Sequence, residues 1–143
     1  MGKRREAMMK LTPAEIDAFL DERHTLVLAT LRRDGTPQLT TVWYRWDGEA
    51  FWISTNRTRA KYRNIERDAR VTVLVDAAPR ETSVVAYGTA ETMATDEAAY
   101  EEALAIVGRY VDDAGAYLDE RRNEPRVLIR IKPHELVSWK LDG

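Results

Sequence analysis

The sequence predicts a mainly β fold: a small antiparallel barrel, closed or nearly closed, with helices on its flank. Three observations carry this. Segments rich in Val, Ile, Thr and aromatic residues follow one another at hairpin spacing: "TLVLATLR", "PQLTTVWYRW", "AFWIST", "RVTVLVD", "TSVVAYGTAETMA" and "RVLIRIKPHELVSWK". Turn signals, "RDGTP" and "DG", separate the first three. Helical spacing is confined to the stretches before, between and after them. Many short strands in one chain leave few exposed edges only if the sheet curls toward closure.

In order along the chain, residues 1–10 are expected to be a flexible tail, with a single domain over 11–143. In "LTPAEIDAFLDE", Thr12 is the N-cap, Pro13 takes the first helical position and Glu15 completes a T-x-x-E capping box. Ile16, Phe19 and Leu20 fall on one face of that helix, and His24 ends it, where a partly cationic ring suits the dipole. The next three segments form a meander, with "PQLTTVWYRW" as one strand. "RAKYRNIERD" has helical spacing, which makes "NRT" a strand-to-helix turn. Two more strands follow, with Pro79 in their turn and Gly88 at a bulge or bend. From Asp96, a stripe of Ala99, Tyr100, Ala103, Leu104, Ile106, Val107 and Tyr110 marks a buried helix face, with Glu97, Glu101 and Glu102 on the solvated one. A second helical piece covers "AGAYLDERRN". In the last strand Val127, Ile129 and Ile131 alternate with Leu128 and Arg130, and Pro133 marks a break or an edge.

Composition removes several function classes. A chain of 143 residues can bury a core without disulfides or a structural metal. Its net charge of -2 provides no global attraction to nucleic acid or an anionic membrane. With no cysteine there are no thiolate zinc sites and no cysteine nucleophile. The basic start has no apolar segment behind it, and no run approaches the roughly 18 apolar residues of a membrane span, so a cytoplasmic protein is expected. His24 and His134 lack metal-ligand spacing. Ser54, Ser83 and Ser138 have no G-x-S-x-G context, and neither G-x-G-x-x-G nor a P-loop occurs. A chain so poor in acids, bases and nucleophiles performs chemistry, if any, through a cofactor.

The stretch "TNRTRAKYRNIERD" is the anomaly. It places Arg57, Arg59, Lys61 and Arg63 at alternate positions around a helix N-terminus, where the macrodipole favours acids. With backbone N–H groups and the Ser54 or Thr55 hydroxyls, these cations read as a phosphate cradle. In that reading Arg59 and Arg63 share one helix face and Lys61 and Asn64 another, with Arg57 projecting from the turn. The competing reading is a solvated helix in which Arg63 pairs with Glu66. A third reading, a module binding nucleic acid through "VWYRW" aromatics and the basic strip, is opposed by the net charge and by Glu66 and Asp68 within the strip.

Residues 28–76 carry an A-T-x-x-x-D-G-x-P-Q strand-turn-strand, a T-x-x-x-R-A-K-x-R-N helix start and a D-x-R-V strand. This pattern resembles the core of the pyridoxamine-phosphate-oxidase-like split β-barrel proteins, in their branch of deazaflavin (coenzyme F420)-dependent oxidoreductases. The likeness covers about residues 11–94 well and the closing strand to Trp139 more loosely. It implies a six- to seven-stranded split β-barrel of the FMN-binding type and a homodimer with cofactor sites between the subunits. It also implies that Arg57, Arg59, Lys61, Arg63 and Asn64 hold the cofactor's phosphate and acidic tail, with Ser54 and Thr55 assisting. Gln38, Thr40, Thr41, Val42 and Trp43 would run beside the ring, and Trp139 would close the pocket from the other subunit. F420 is the expected cofactor, because its long anionic tail suits four cations; FMN is the alternative. The expected reaction is hydride transfer to an electron-poor small molecule, with a proton from water or a hydroxyl such as that of Tyr44. No metal and no nucleic acid are expected.

Overall fold

The computed structural model describes residues 8–77, 81–93 and 97–141. Of the expected tail, Met8–Met9 form a short strand, β1, opposite Leu141 and Lys140, while residues 1–7 lie outside the described residues. Helix α1 (Pro13–Asp21) starts as its sequence dictates. The Thr12 hydroxyl accepts from the Glu15 N–H at 3.2 Å, and the Glu15 carboxylate accepts from the Thr12 N–H at 2.9 Å. Phe19 and Leu20 are buried. His24 lies beyond the helix end and stacks on Phe19, with ring centroids 4.7 Å apart.

Strands β2 (Leu26–Leu31) and β3 (Pro37–Val42) form the first hairpin. Its turn needs Gly35 at φ 86°, and the Asp34 carboxylate accepts from both the N–H and the hydroxyl of Thr36, at 3.0 and 2.6 Å. The segment expected as one strand, "PQLTTVWYRW", is two. It breaks at Trp43 and Tyr44, and β4 (Arg45–Trp46) pairs instead with β5 (Phe51–Asn56). Tyr44 explains the break. Its ring is fully buried, its hydroxyl donates to the Leu20 carbonyl at 2.7 Å, and its N–H donates to the Tyr110 hydroxyl at 3.3 Å, so this backbone amide is satisfied by a side chain rather than a strand.

After α2 (Ala60–Arg67) come β6 (Arg70–Ala77) and β7 (Thr82–Met93), then α3 (Glu97–Val107), α4 (Ala114–Asp119) and the long β8 (Arg126–Leu141). All pairings are antiparallel and the order is β3-β2-β6-β7-β8-β5-β4. The two ends of that path, β3 and β4, are consecutive in the chain. The sheet is therefore a curled half-barrel bridged by the covalent segment Trp43–Tyr44 and not by a hydrogen-bonded ladder, as in a split β-barrel.

The bulge expected at Gly88 is present: Tyr87 faces Glu135 and Gly88 faces Pro133, which leaves His134 as the extra residue on β8. β8 runs through Pro133 without the expected break, because the bulge accommodates a residue that cannot donate to the ladder. Pro79 lies outside the described residues. Leu26, Leu28, Phe51, Ile53, Val73, Val75, Val84, Ile129 and Ile131 fill the interior. α3 buries Ala99, Ala103, Ile106 and Val107, with Trp43 packed beside it. Two expectations for α3 are corrected. Tyr100 is exposed, and Glu102 does not face solvent but accepts two bonds from the Arg45 guanidinium, at 2.6 and 2.5 Å. No helix among the described residues is long and apolar enough to cross a membrane.

Candidate functional site: a cationic groove in the open seam

The seam follows from the pairing. Among the described residues, β3 pairs only with β2, and β5 meets β4 only at Phe51 and Trp52. One edge of β3 and the upper half of β5 therefore face each other without a ladder, and backbone polar groups on such edges are available to a ligand. Between them lies a groove of about 760 Å³.

At the end of β5 the chain turns on Asn56, whose side-chain oxygen accepts from the Thr58 N–H at 3.0 Å and from the Thr58 hydroxyl at 2.5 Å. Arg59 then caps α2 in an extended conformation, φ -76° and ψ 146°, with no side-chain cap bond. Because Arg59 is not itself helical, the rule placing residues i and i+4 on one face does not apply to it. The structure accordingly separates the cations. Arg59 and Lys61 line the groove; the Arg63 guanidinium bonds the Thr58 carbonyl at 2.9 Å on the other side of α2, and Arg57 lines a different cavity.

Of the residues singled out in the sequence, the groove brings together Thr40, Thr41, Val42, Trp43, Ser54, Thr55, Arg59 and Lys61. Gln38 and Asn64 are elsewhere, bonded to each other. Asn64 is buried and donates to the Thr30 hydroxyl and to the Gln38 carbonyl oxygen, both at 3.1 Å, and accepts from Arg67 at 2.9 Å. These bonds tie α2 to β2 and β3. Trp139 pairs with Ser83 and does not line the groove of its own chain; the expectation for it concerns the groove of a second subunit. Tyr44 does not reach it either, and burial pushes its phenol far above the ordinary range. Trp43 stacks on Tyr110, with centroids 4.9 Å apart at 5°, and also lines the groove.

Sequence reading missed Tyr117, Arg121, Glu124 and Arg126, which form the far wall. Arg121 lies 3.6 Å from the centre of the Tyr117 ring. Arg126 pairs with Glu124 at 3.3 Å and donates to the Ser54 hydroxyl at 3.4 Å. Arg121 and Arg126 in "ERRNEPR" are the signal in the sequence, but their sequence distance from β5 conceals it.

The groove thus holds four cations, Arg59, Lys61, Arg121 and Arg126, against one carboxylate, Glu124. Among the described residues neither Arg59 nor Lys61 has an ion-pair partner. Burial, and then the Arg59 charge, holds the Lys61 ammonium below its usual value, the shift expected of a cation lacking its counter-ion. The Thr40 hydroxyl oxygen is buried without a partner. This chemistry suits an anionic ligand with hydrogen-bonding groups. The bond between Arg63 and Glu66 expected of a merely solvated helix is not formed; Glu66 accepts from the Thr92 hydroxyl at 2.6 Å.

Residues 12–140 match the model of a family described as pyridoxamine 5'-phosphate oxidase. Among solved structures, a conserved hypothetical protein of Mycobacterium tuberculosis is 32% identical, with 96% of this chain and 89% of that one covered and a TM-score of 0.79. A protein named as an F420 reductase is 26% identical, with 84% and 94% covered and a TM-score of 0.68. A FAD-binding protein of Mesorhizobium loti, at 19% identity, 97% and 100% coverage and a TM-score of 0.76, shares the fold.

Proposed function

Because the chain belongs to the pyridoxamine 5'-phosphate oxidase family, a family that includes oxidoreductases, we propose that its groove binds deazaflavin coenzyme F420 and that the protein is a cytoplasmic reductase of an electron-poor small molecule. The observation that carries this reading is the pair Arg59 and Lys61, two cations without a counter-ion at the start of α2 beside an open strand edge. A phosphodiester satisfies both, and the N-terminus of α2 adds its dipole. The surplus of four cations over one carboxylate favours a ligand with several negative charges, which F420 has and FMN, with one phosphate, has less of.

In this reading each wall has a task. The free edge of β3 at Thr40–Val42 offers backbone donors and acceptors to the polar rim of the ring system, and the Thr40 hydroxyl gains the partner it lacks. Trp43 and Tyr117, whose rings lie 5.4 Å apart, exclude water from one end. F420 supplies the hydride when bound, and the protein supplies position and electrostatics. No side-chain acid in the groove is placed to deliver a proton: Glu124 is held by Arg126 and Asn56, which leaves solvent as the source. The functional unit is a homodimer, with each groove closed by the partner subunit.

Titration of the purified protein with F420 and, separately, with FMN tests this by tryptophan fluorescence, since Trp43 lines the groove. Saturable quenching by F420 at concentrations where FMN has little effect is expected. Tighter binding of FMN overturns the deazaflavin assignment and leaves a flavin protein.

A further inference from the structure

A second cavity, of about 410 Å³, lies on the other side of Ser54, Arg121, Glu124 and Arg126, the four residues that also wall the groove. Its floor is apolar. Ala99, Ala103, Leu118, Val127 and Leu128 are all buried there, and the small side chains that α3 presents at Ala99 and Ala103 leave the space unfilled. Its rim is cationic, with four guanidiniums against two carboxylates. Three of the four have a carboxylate partner, Arg122 with Asp119 at 3.4 Å, Arg126 with Glu124 at 3.3 Å and, more loosely, Arg121 with Glu120. Arg57 has no ion-pair partner among the described residues, and Arg121 leans on the Tyr117 ring with Glu120 no nearer than 3.7 Å. An apolar floor under a rim with one unpaired guanidinium, Arg57, fits a molecule with an apolar body and one acidic end.

We propose that this second cavity is a binding site for small unsaturated or aromatic carboxylic acids, with the hydrocarbon body over Ala99, Ala103 and Leu128 and the carboxylate at Arg57. Its place as the substrate pocket rests on the cofactor reading of the neighbouring groove; the binding itself does not. Among these acids the α,β-unsaturated ones are reducible: a hydride, which F420 in the neighbouring groove would supply, adds to the carbon β to the carboxylate and a solvent proton to the α carbon. The C=C bond becomes single and the deazaflavin is left oxidised. The assignment also gives Arg57 a task distinct from that of Arg59 and Lys61, whose cavity it does not share.

The test uses trans-cinnamate and its uncharged counterpart, cinnamyl alcohol, on the full-length protein without cofactor, with binding read by calorimetry. Cinnamate is expected to bind, and Arg57→Gln, at an exposed position that folding does not need, is expected to weaken it about tenfold while leaving cinnamyl alcohol unaffected. Ala103→Leu, which fills the floor, should weaken both ligands; where that variant folds poorly, the Arg57→Gln comparison decides alone. Saturating F420 should leave cinnamate binding in place. The proposal is overturned if cinnamate does not bind, if Arg57→Gln leaves it unchanged, or if F420 displaces it, which would put the acid in the groove. If F420 fails to bind while cinnamate still depends on Arg57, the acid site stands and only the cofactor reading falls.

Discussion

Lys61 is half-buried beside Arg59 with no carboxylate among the described residues to meet either charge, an arrangement that costs stability unless a bound anion supplies the missing charge. Two outcomes of opposite sign follow. Lys61→Ala should weaken F420 binding by about 1.5–3 kcal/mol, the loss of a charge-assisted contact, and binding to the variant should depend less steeply on salt. Lys61→Met, which keeps the stem and removes the charge, should raise the melting temperature of the free protein at neutral pH. The sign follows from the depressed pKa. Between the folded value and the ordinary 10.5 the unfolded chain binds more protons, so the parent gains stability as pH rises through that window. The Met variant lacks this rise, and its advantage should vanish at the alkaline end. Thermal melts across pH check it: a Met variant less stable than the parent at neutral pH would make Lys61 an ordinary structural residue. Asn64 illustrates the converse. It was grouped with the cradle for its spacing, yet its amide is occupied by Thr30, Gln38 and Arg67 and works as a strut.

Among the elements, the bulge shared by β7 and β8 sets the course of the longest ladder. A Cβ at Gly88 would stand 2.5 Å from the Lys132 carbonyl oxygen, and backbone there cannot swing away as a side chain could. Gly88→Ala should therefore cost about 1–3 kcal/mol, the range for forced overpacking, measured by urea unfolding. An unchanged midpoint would show that the bulge relaxes freely. The break between β3 and β4 has a different origin, in the burial of Tyr44, and it opens the seam. The bond between Arg45 and Glu102 then fastens α3 to β4, which holds the wall of the second cavity in place.

For the whole molecule, the outer face of the sheet is the feature that remains unexplained by a single chain. Leu39 is 63% exposed, and the strand registers align it with Ala29, Thr72 and Tyr87, with Val137, opposite Val85, exposed on the same side of β8. Leu39 also borders the groove, so a partner covering this face would reach the ligand. Light scattering over a dilution series should give a dimer, and Leu39→Lys should yield a monomer with weaker F420 binding. A monomeric parent that binds the cofactor stoichiometrically would refute the interface model.

Local chemistry was readable along the chain. The capping box at Thr12 and Glu15, the glycine turn at Gly35, the bulge at Gly88 and the cationic helix start each depend on residues a few positions apart, and each appears where the sequence indicates it. Strand content and the split-barrel family were legible for the same reason, because periodicity and motif are short-range signals. What tertiary structure alone decided is which neighbours in space share a cavity. Nothing in "ERRNEPR" indicates that Arg121 and Arg126 would line a cavity with Ser54; the register of β5 on β8 places Arg126 there, and the turn before β8 brings Arg121 to the same wall. Nor does spacing reveal that Arg59 falls outside the helix and so parts from Arg63, or that Trp43 and Tyr44 split the strand-forming segment "PQLTTVWYRW". The strand's break is set by what buries Tyr44, whose partners Leu20 and Tyr110 the local sequence does not contain.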